Sequence, residues 1–252
     1  MDTLQTLFSH RTIRNYKSDP IDDAVLNEIL EAGSRASTTG NMQVYSIIIT
    51  KDEERKKKLW EMHFRQGMIL QAPVILTFCC DFRRFNIWCE NRDAEPGYDN
   101  FLSFFTGAID ALLAAQNVCI AAEDKGLGIC YLGTTTYMAD KIIEFLNLPE
   151  GVVPVTTVVL GYPAEIPGLT DRLPMKGIIH EEIYTDYTTE SINEIYHEKE
   201  NLPQTLKLLE ENQLATLAQI FTEKRYTRKD NVHFSKILLD VLERQGFMNH
   251  TS

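Results

Sequence analysis

HRTIRNYKSDPI, residues 10–21, concentrates His10, Arg11, Arg14 and Lys17 near the amino terminus of a chain that is otherwise acidic. If the stretch is extended, alternation sends Arg11 and Ile13 one way and His10, Thr12 and Arg14 the other. One face then carries groups suited to an anion, and arginine adds a forked donor. A solvated basic stretch explains the same composition, so the surrounding sequence has to decide.

The 252 residues carry 25 Lys and Arg against 36 Asp and Glu, a formal charge of −11. That balance argues against a nucleic-acid or membrane-surface protein, which needs a net basic face, but leaves room for a local anion site. The five cysteines form no CxxC pair, so zinc and dithiol chemistry have no support. MDTLQTLFSH lacks a basic-then-apolar leader pattern. The apolar run 101–126 is broken by Asp110, Gln116 and Asn117, which disfavours a membrane span. The expectation is a soluble cytoplasmic protein without nucleic-acid or membrane partners.

Periodicity predicts helices over 24–36, 52–64, 101–125 and 138–148, and strands over 44–50, 72–81, 128–132 and 152–163. Asp22 or Asp23 can cap the first of these helices. The helix over 101–125 is apolar almost all round, which predicts burial on several sides and a subunit interface. Beyond about residue 185 the pattern is helical, over 190–200, 202–221 and 234–246. Helices and strands mix without strict βαβ alternation, so the fold class is α+β. GLG at 126–128 follows a helix and precedes a strand, the reverse of a dinucleotide-binding turn, and is read as a helix end. No GxxxxGK[ST], HExxH, EF-hand or GxSxG pattern is present. Trp60 and Trp88 are read as packing residues, and His63, His180, His197 and His233 as surface histidines.

HRTIRNYKSDPI resembles the amino-terminal signature of the FMN-dependent nitroreductase family. RASTTGNMQ (35–43), AAEDKGLGICYLG (121–133), LPEGVVPVTTVVLGYPAE (148–165) and GLTDRLP (168–174) are similar, in order, to further segments of that family. The helical tail resembles the larger, NADPH-linked flavin reductase branch. The resemblance implies a nitroreductase-like fold: a central, mostly antiparallel sheet flanked by helices, dimeric, with a helical C-terminal extension. It implies a core over 1–184 and an extension of the same domain over 185–252.

It further implies FMN at a homodimer interface, with His10, Arg11, Thr12 and Arg172 on the phosphate and ribityl chain. Arg14 would lie near the N1–C2 edge of the ring. Thr38 and Thr39 match a hydroxyl loop and Gln66 a polar ring contact. Tyr131, Leu132, Gly133 and Thr134 would place backbone groups beside the ring, including a donor to N5. The chemistry belongs to the cofactor, so no catalytic side chain and no metal are expected. The implied activity is ping-pong transfer of two electrons from NAD(P)H to nitroaromatics, quinones or free flavin. A flavin-binding protein without turnover is the alternative. Two positions depart from the pattern: Thr170 stands where this branch often has Lys, and Thr134 where Gly is common. The basic cluster EKRYTRKD (223–230) is either a 2′-phosphate site centred on Arg225 and Arg228, favouring NADPH over NADH, or an exposed loop.

Overall fold

A computed structural model describes residues 2–250. The chain divides into two compact units, Met1–Gly168 with Phe234–Ser252, and Leu169–His233.

The first unit is built on a four-stranded sheet in the order β1-β2-β4-β3. Its strands are β1 (Tyr45–Thr50), β2 (Val74–Asp81), β3 (Gly128–Leu132) and β4 (Val152–Gly161), and every neighbouring pair is antiparallel. All eight residues of β2 are buried, which accounts for its run VILTFCC, apolar but for Thr77. Pro154 lies inside β4, where it cannot donate to the ladder. The β2–β4 register shifts between Phe78 and Cys79, opposite Pro154, and the missing donor accounts for the irregularity.

The helices of this unit are α1 (Thr3–Phe8), α2 (Asp23–Ser34), α3 (Glu53–Met62), α4 (Met68–Gln71), α5 (Arg83–Glu90), α6 (Phe101–Asp124) and α7 (Ala139–Leu146). Asp22 caps α2, its carboxylate accepting from the Ala24 N–H at 2.7 Å. Gly126 follows α6 with φ +78° and closes the helix end, so the GLG segment is a turn and not a phosphate loop.

α6 is long and apolar enough to cross a membrane by composition alone. In the structure Ala111, Ala114, Ala115, Val118 and Ala122 are buried in a cluster with Phe78, Val158 and Leu160. Gly107 lets the helix approach the sheet, because a Cβ there would lie 2.4 Å from Cys80 Sγ. α6 is therefore a core helix along one face. Its other face exposes Leu102, Phe105, Ile109 and Leu112, at alternating steps of three and four residues. Burial on several sides is thus met only in part within one chain.

Residues 12–17 lie along the sheet's edge. Thr12 bridges Ile129 of β3, Tyr16 bridges Pro163, and the Ile13 N–H donates to the Ile129 carbonyl at 2.9 Å. Gly128 makes the approach possible, since a Cβ there would sit 2.4 Å from the Ile13 side chain.

The second unit holds α8 (Thr189–Glu200), α9 (Pro203–Asn212), the short α10 (Leu217–Gln219), a π-helical turn Ile220–Arg225 and the first residues of α11 (Arg228–Arg244). Both α8 and α10 begin in capping boxes, with Thr188 and Thr216 as the caps. The rest of α11 belongs to the first unit, where Val241, Leu242 and Phe247 join the cluster around Phe82 and Phe104.

Candidate functional site

The basic segment is fixed more tightly than its composition suggests. Ile13 and Tyr16 are buried, and the Tyr16 hydroxyl donates to the Ile13 carbonyl at 2.8 Å. Burial pushes that hydroxyl's pKa well above its ordinary value, so it stays a donor. The cations flank this anchored backbone. His10 Nδ1 lies 2.7 Å from Glu123 Oε1 in the last turn of α6. One Arg11 nitrogen donates to the Ser9 carbonyl at 2.6 Å, while its Nε is buried with no acceptor among the described residues. Arg14 is exposed. Neither arginine is paired with a carboxylate of the described chain. A buried guanidinium nitrogen without an acceptor costs free energy that an incoming anion would offset.

The hydroxyl loop is held by charge. Asp110, fully buried in α6, accepts from the Thr39 N–H at 2.9 Å and from the Val44 N–H at 3.4 Å. Arg84 donates to the carbonyls of Gln43 and Tyr45. Gly40, Asn41 and Gln43 all have positive φ, and this clamp holds the chain there. Thr38 is half-buried and Thr39 exposed.

At the C-terminal end of β3 the chain passes through Gly133 and Thr134. Tyr131 is half-buried, its hydroxyl 3.4 Å from Gln116 Oε1, and Leu132 is buried. Thr134 Oγ1 lies 2.7 Å from His63 Nδ1 and 3.4 Å from Gln66 Nε2. His63 is therefore not on the surface, as its sequence context suggested: its relative exposure is 0%. Burial pushes its imidazole pKa down to about 4, so the ring is neutral at pH 7. Trp88 also departs from expectation, being 55% exposed, whereas Trp60 packs partly buried against the cluster around Leu59.

Arg172, Arg225 and Arg228 belong to the second unit. Arg172 is exposed and donates to the Asp171 carbonyl at 2.9 Å. Arg225 ends the π-helical turn and lines a cavity of about 350 Å³ with Lys199, Lys207, Asp171 and Glu211. Arg228 begins α11 and is exposed. The cysteines are free and buried, and burial drives the Cys79 and Cys119 thiols up to about 12, which rules them out as thiolate nucleophiles.

The sequence reading did not single out Tyr16, Asp110, Glu123, Arg84 or His63 as site-forming residues. Asp110 carried a signal, a carboxylate inside an apolar run. His63 carried none, because it follows a charged, mostly exposed helix.

The fold is α+β, with a sheet edge that carries arginines without carboxylate partners and a polar turn beyond β3. The nitroreductase family model matches residues 7–162. The FMN reductase [NAD(P)H] of Bacillus subtilis (strain 168) is 37% identical over 185 residues, 73% of this chain and 74% of that protein. A crystal structure from Bacteroides fragilis NCTC 9343 superposes with a TM-score of 0.96 at 55% identity, covering 97% of this chain and all of that one. The NADPH:FMN oxidoreductase of Vibrio harveyi, solved with NAD+, gives a TM-score of 0.83 at 28% identity, covering 99% and 100%. The chain belongs to the nitroreductase family.

The buried histidine makes stability depend on pH. The unfolded imidazole takes a proton near pH 6.5 and the folded one only near 4, so between these values the unfolded state binds more protons. His63 therefore lowers stability as pH falls from 6.5 toward 4, by on the order of 3 kcal/mol across the window. Urea midpoints at pH 7 and pH 4.5 should fall further apart in the unmodified protein than in His63→Phe. Equal spacing in both would show that the ring is protonated in the folded state.

Proposed function

We propose that this chain is an FMN-dependent oxidoreductase that passes two electrons from NAD(P)H to small-molecule acceptors such as nitroaromatics, quinones or free flavin. The observation that carries the reading is the family match over 7–162, which spans both the basic segment and the polar turn beyond β3. When bound, FMN supplies the two-electron carrier chemistry. The orphaned Arg11 Nε fits a phosphate, and His10 and Thr12 stand beside it on the same fixed segment. Arg14, exposed and without a carboxylate partner, is assigned to the N1–C2 edge of the ring, where a cation favours a negatively charged flavin. Thr38, Thr39, Gln66, Tyr131, Leu132, Gly133 and Thr134 are assigned to the ring and ribityl chain, and Arg172 to the phosphate. Five buried, unpaired cysteines suit the reducing cytoplasm, where we place the protein.

The purified protein should be yellow, release FMN on acid treatment, and bleach within seconds when mixed anaerobically with NADPH. A flavin-binding protein without turnover would stay yellow with both NADPH and NADH. That result would leave the cofactor assignment standing and remove the enzyme.

The reading extends to the donor. Arg225 shares its cavity with Lys199 and Lys207, three cations against Asp171 and Glu211. We assign Arg225 and Arg228 to the 2′-phosphate of NADPH, whose charge and oxygens suit a guanidinium. Replacing both with Ala should raise KM for NADPH about tenfold, leave KM for NADH within twofold, and change kcat little. Equal KM values for the two donors in the unmodified enzyme would return the cluster to an exposed loop.

It also extends to a homodimer closed through α6. Phe101, Leu102, Phe105, Ile109, Leu112 and Leu113 leave an apolar seam exposed, with Leu102 at 71%. Knob-and-hole spacing of this kind suits a second copy of the same helix. Sedimentation at micromolar concentration should give twice the 28.9 kDa chain mass. Leu102→Glu with Phe105→Glu should give monomer; a flavin-loaded monomer before substitution would refute the seam.

A further inference from the structure

The polar turn beyond β3 contains a hydrogen-bond arrangement that leaves one proton without an acceptor. The Gln66 amide lies 3.1 Å from the His63 carbonyl, which can only accept, so the amide's NH₂ group faces it. The same nitrogen is 3.4 Å from Thr134 Oγ1 and donates there too.

The His63 ring carries one proton at neutral pH. Its Nε2 is buried and has no partner among the described residues. A buried N–H without an acceptor is rarer and costlier than a buried lone pair without a donor. The proton therefore sits on Nδ1 and is donated to Thr134 Oγ1 at 2.7 Å. Both acceptor positions of that hydroxyl are then filled, by His63 and Gln66, and its own proton must point to a third atom. Among the described residues no group accepts it. Thr134 is half-buried and its neighbour Gly133 is exposed, with nothing within 4 Å of where a Cβ would stand. The turn beside this hydroxyl is therefore open.

Resting on the flavin reading above, we propose that the Thr134 hydroxyl is a fixed hydrogen-bond donor to the acceptor edge of the oxidised flavin ring, N5 and the C4 carbonyl, with the buried His63 as the positioning residue that fixes it. The local backbone supports the role. His63 follows the end of α3, and Phe64 and Arg65 then take φ of 55° and 57°, which L-residues avoid. The Arg65 N–H donates to the Trp60 carbonyl at 2.9 Å, and the reversed chain brings Gln66 back over His63. Strain is held here to set two donors on one hydroxyl.

The test uses the holoprotein. FMN release on dilution, followed by the return of flavin fluorescence, gives Kd for Thr134→Val, Thr134→Ser, His63→Phe and His63→Asn. Thr134→Val and His63→Phe should weaken FMN binding about tenfold, the worth of one hydrogen bond. Thr134→Ser should stay within twofold. His63→Asn, whose amide can donate from near the Nδ1 position, should recover most of the affinity. Nitrogen-15 NMR of labelled histidine in the unmodified holoprotein should show His63 with its proton on Nδ1, unchanged from pH 7 to pH 5. A proton on Nε2 would make Thr134 the donor to His63 and overturn the proposal. So would wild-type affinity in Thr134→Val. Purified protein that neither holds nor takes up FMN would overturn the flavin reading itself, and this donor with it.

Discussion

Three backbone hydrogen bonds fasten residues 13–17 to the sheet. The Ile13 N–H donates to the Ile129 carbonyl, the Lys17 N–H to that of Tyr162, and the Ala164 N–H to that of Asn15, each at 2.9 Å. The first partly satisfies the outer edge of β3, and the other two tie the segment to the residues that follow β4. They also make the basic segment a rigid part of the sheet. A free arginine-rich strand would have to order itself each time it met an anion, at roughly 1–2 kcal/mol per residue. Here that cost is met by folding, through Ile13 and Tyr16 in the core.

The remaining site elements depend on buried polar groups that fix the backbone. Asp110 reaches from the middle of α6 to the N–H groups of Thr39 and Val44. A buried carboxylate is expensive unless hydrogen-bonded, and those two donors stabilise it while they shape the loop. Glu123 does the same for His10 at the end of that helix. α6 thus serves as a frame, with its inner face in the core, two carboxylates directed to two separate loops, and its outer face apolar.

Most of the fold could be read in the sequence. The strands and the longer helices announced themselves by periodicity, and Gly126 by its place after a helix. α5 did not, because RRFNIWCE mixes charge and aromatics without a clear stripe. The reading of the site rested on residue types in a familiar order, because composition could not tell a basic segment fixed on the sheet from a solvated one. What separates them is Tyr16, whose burial against Val159 is a long-range fact. His63 illustrates the limit. It ends a helix that is charged and mostly exposed, while its partner Thr134 lies 71 residues away.

The chain's charge of −11 opposes a phosphate ligand at long range. Screening resolves the conflict. At physiological ionic strength the Debye length is about 8 Å, so acidic groups spread over the surface are largely invisible at any one point. What counts is the charge within a few ångströms. At the basic segment that charge is Arg11 and Arg14, neither neutralised by a carboxylate, while His10 is the group tied to Glu123. The acidic remainder acts through long-range repulsion, which keeps polyanions such as nucleic acid away at low salt. A small anion close to either arginine meets the local field. A large one that must cover the surface meets the net charge, and the two are opposite in sign.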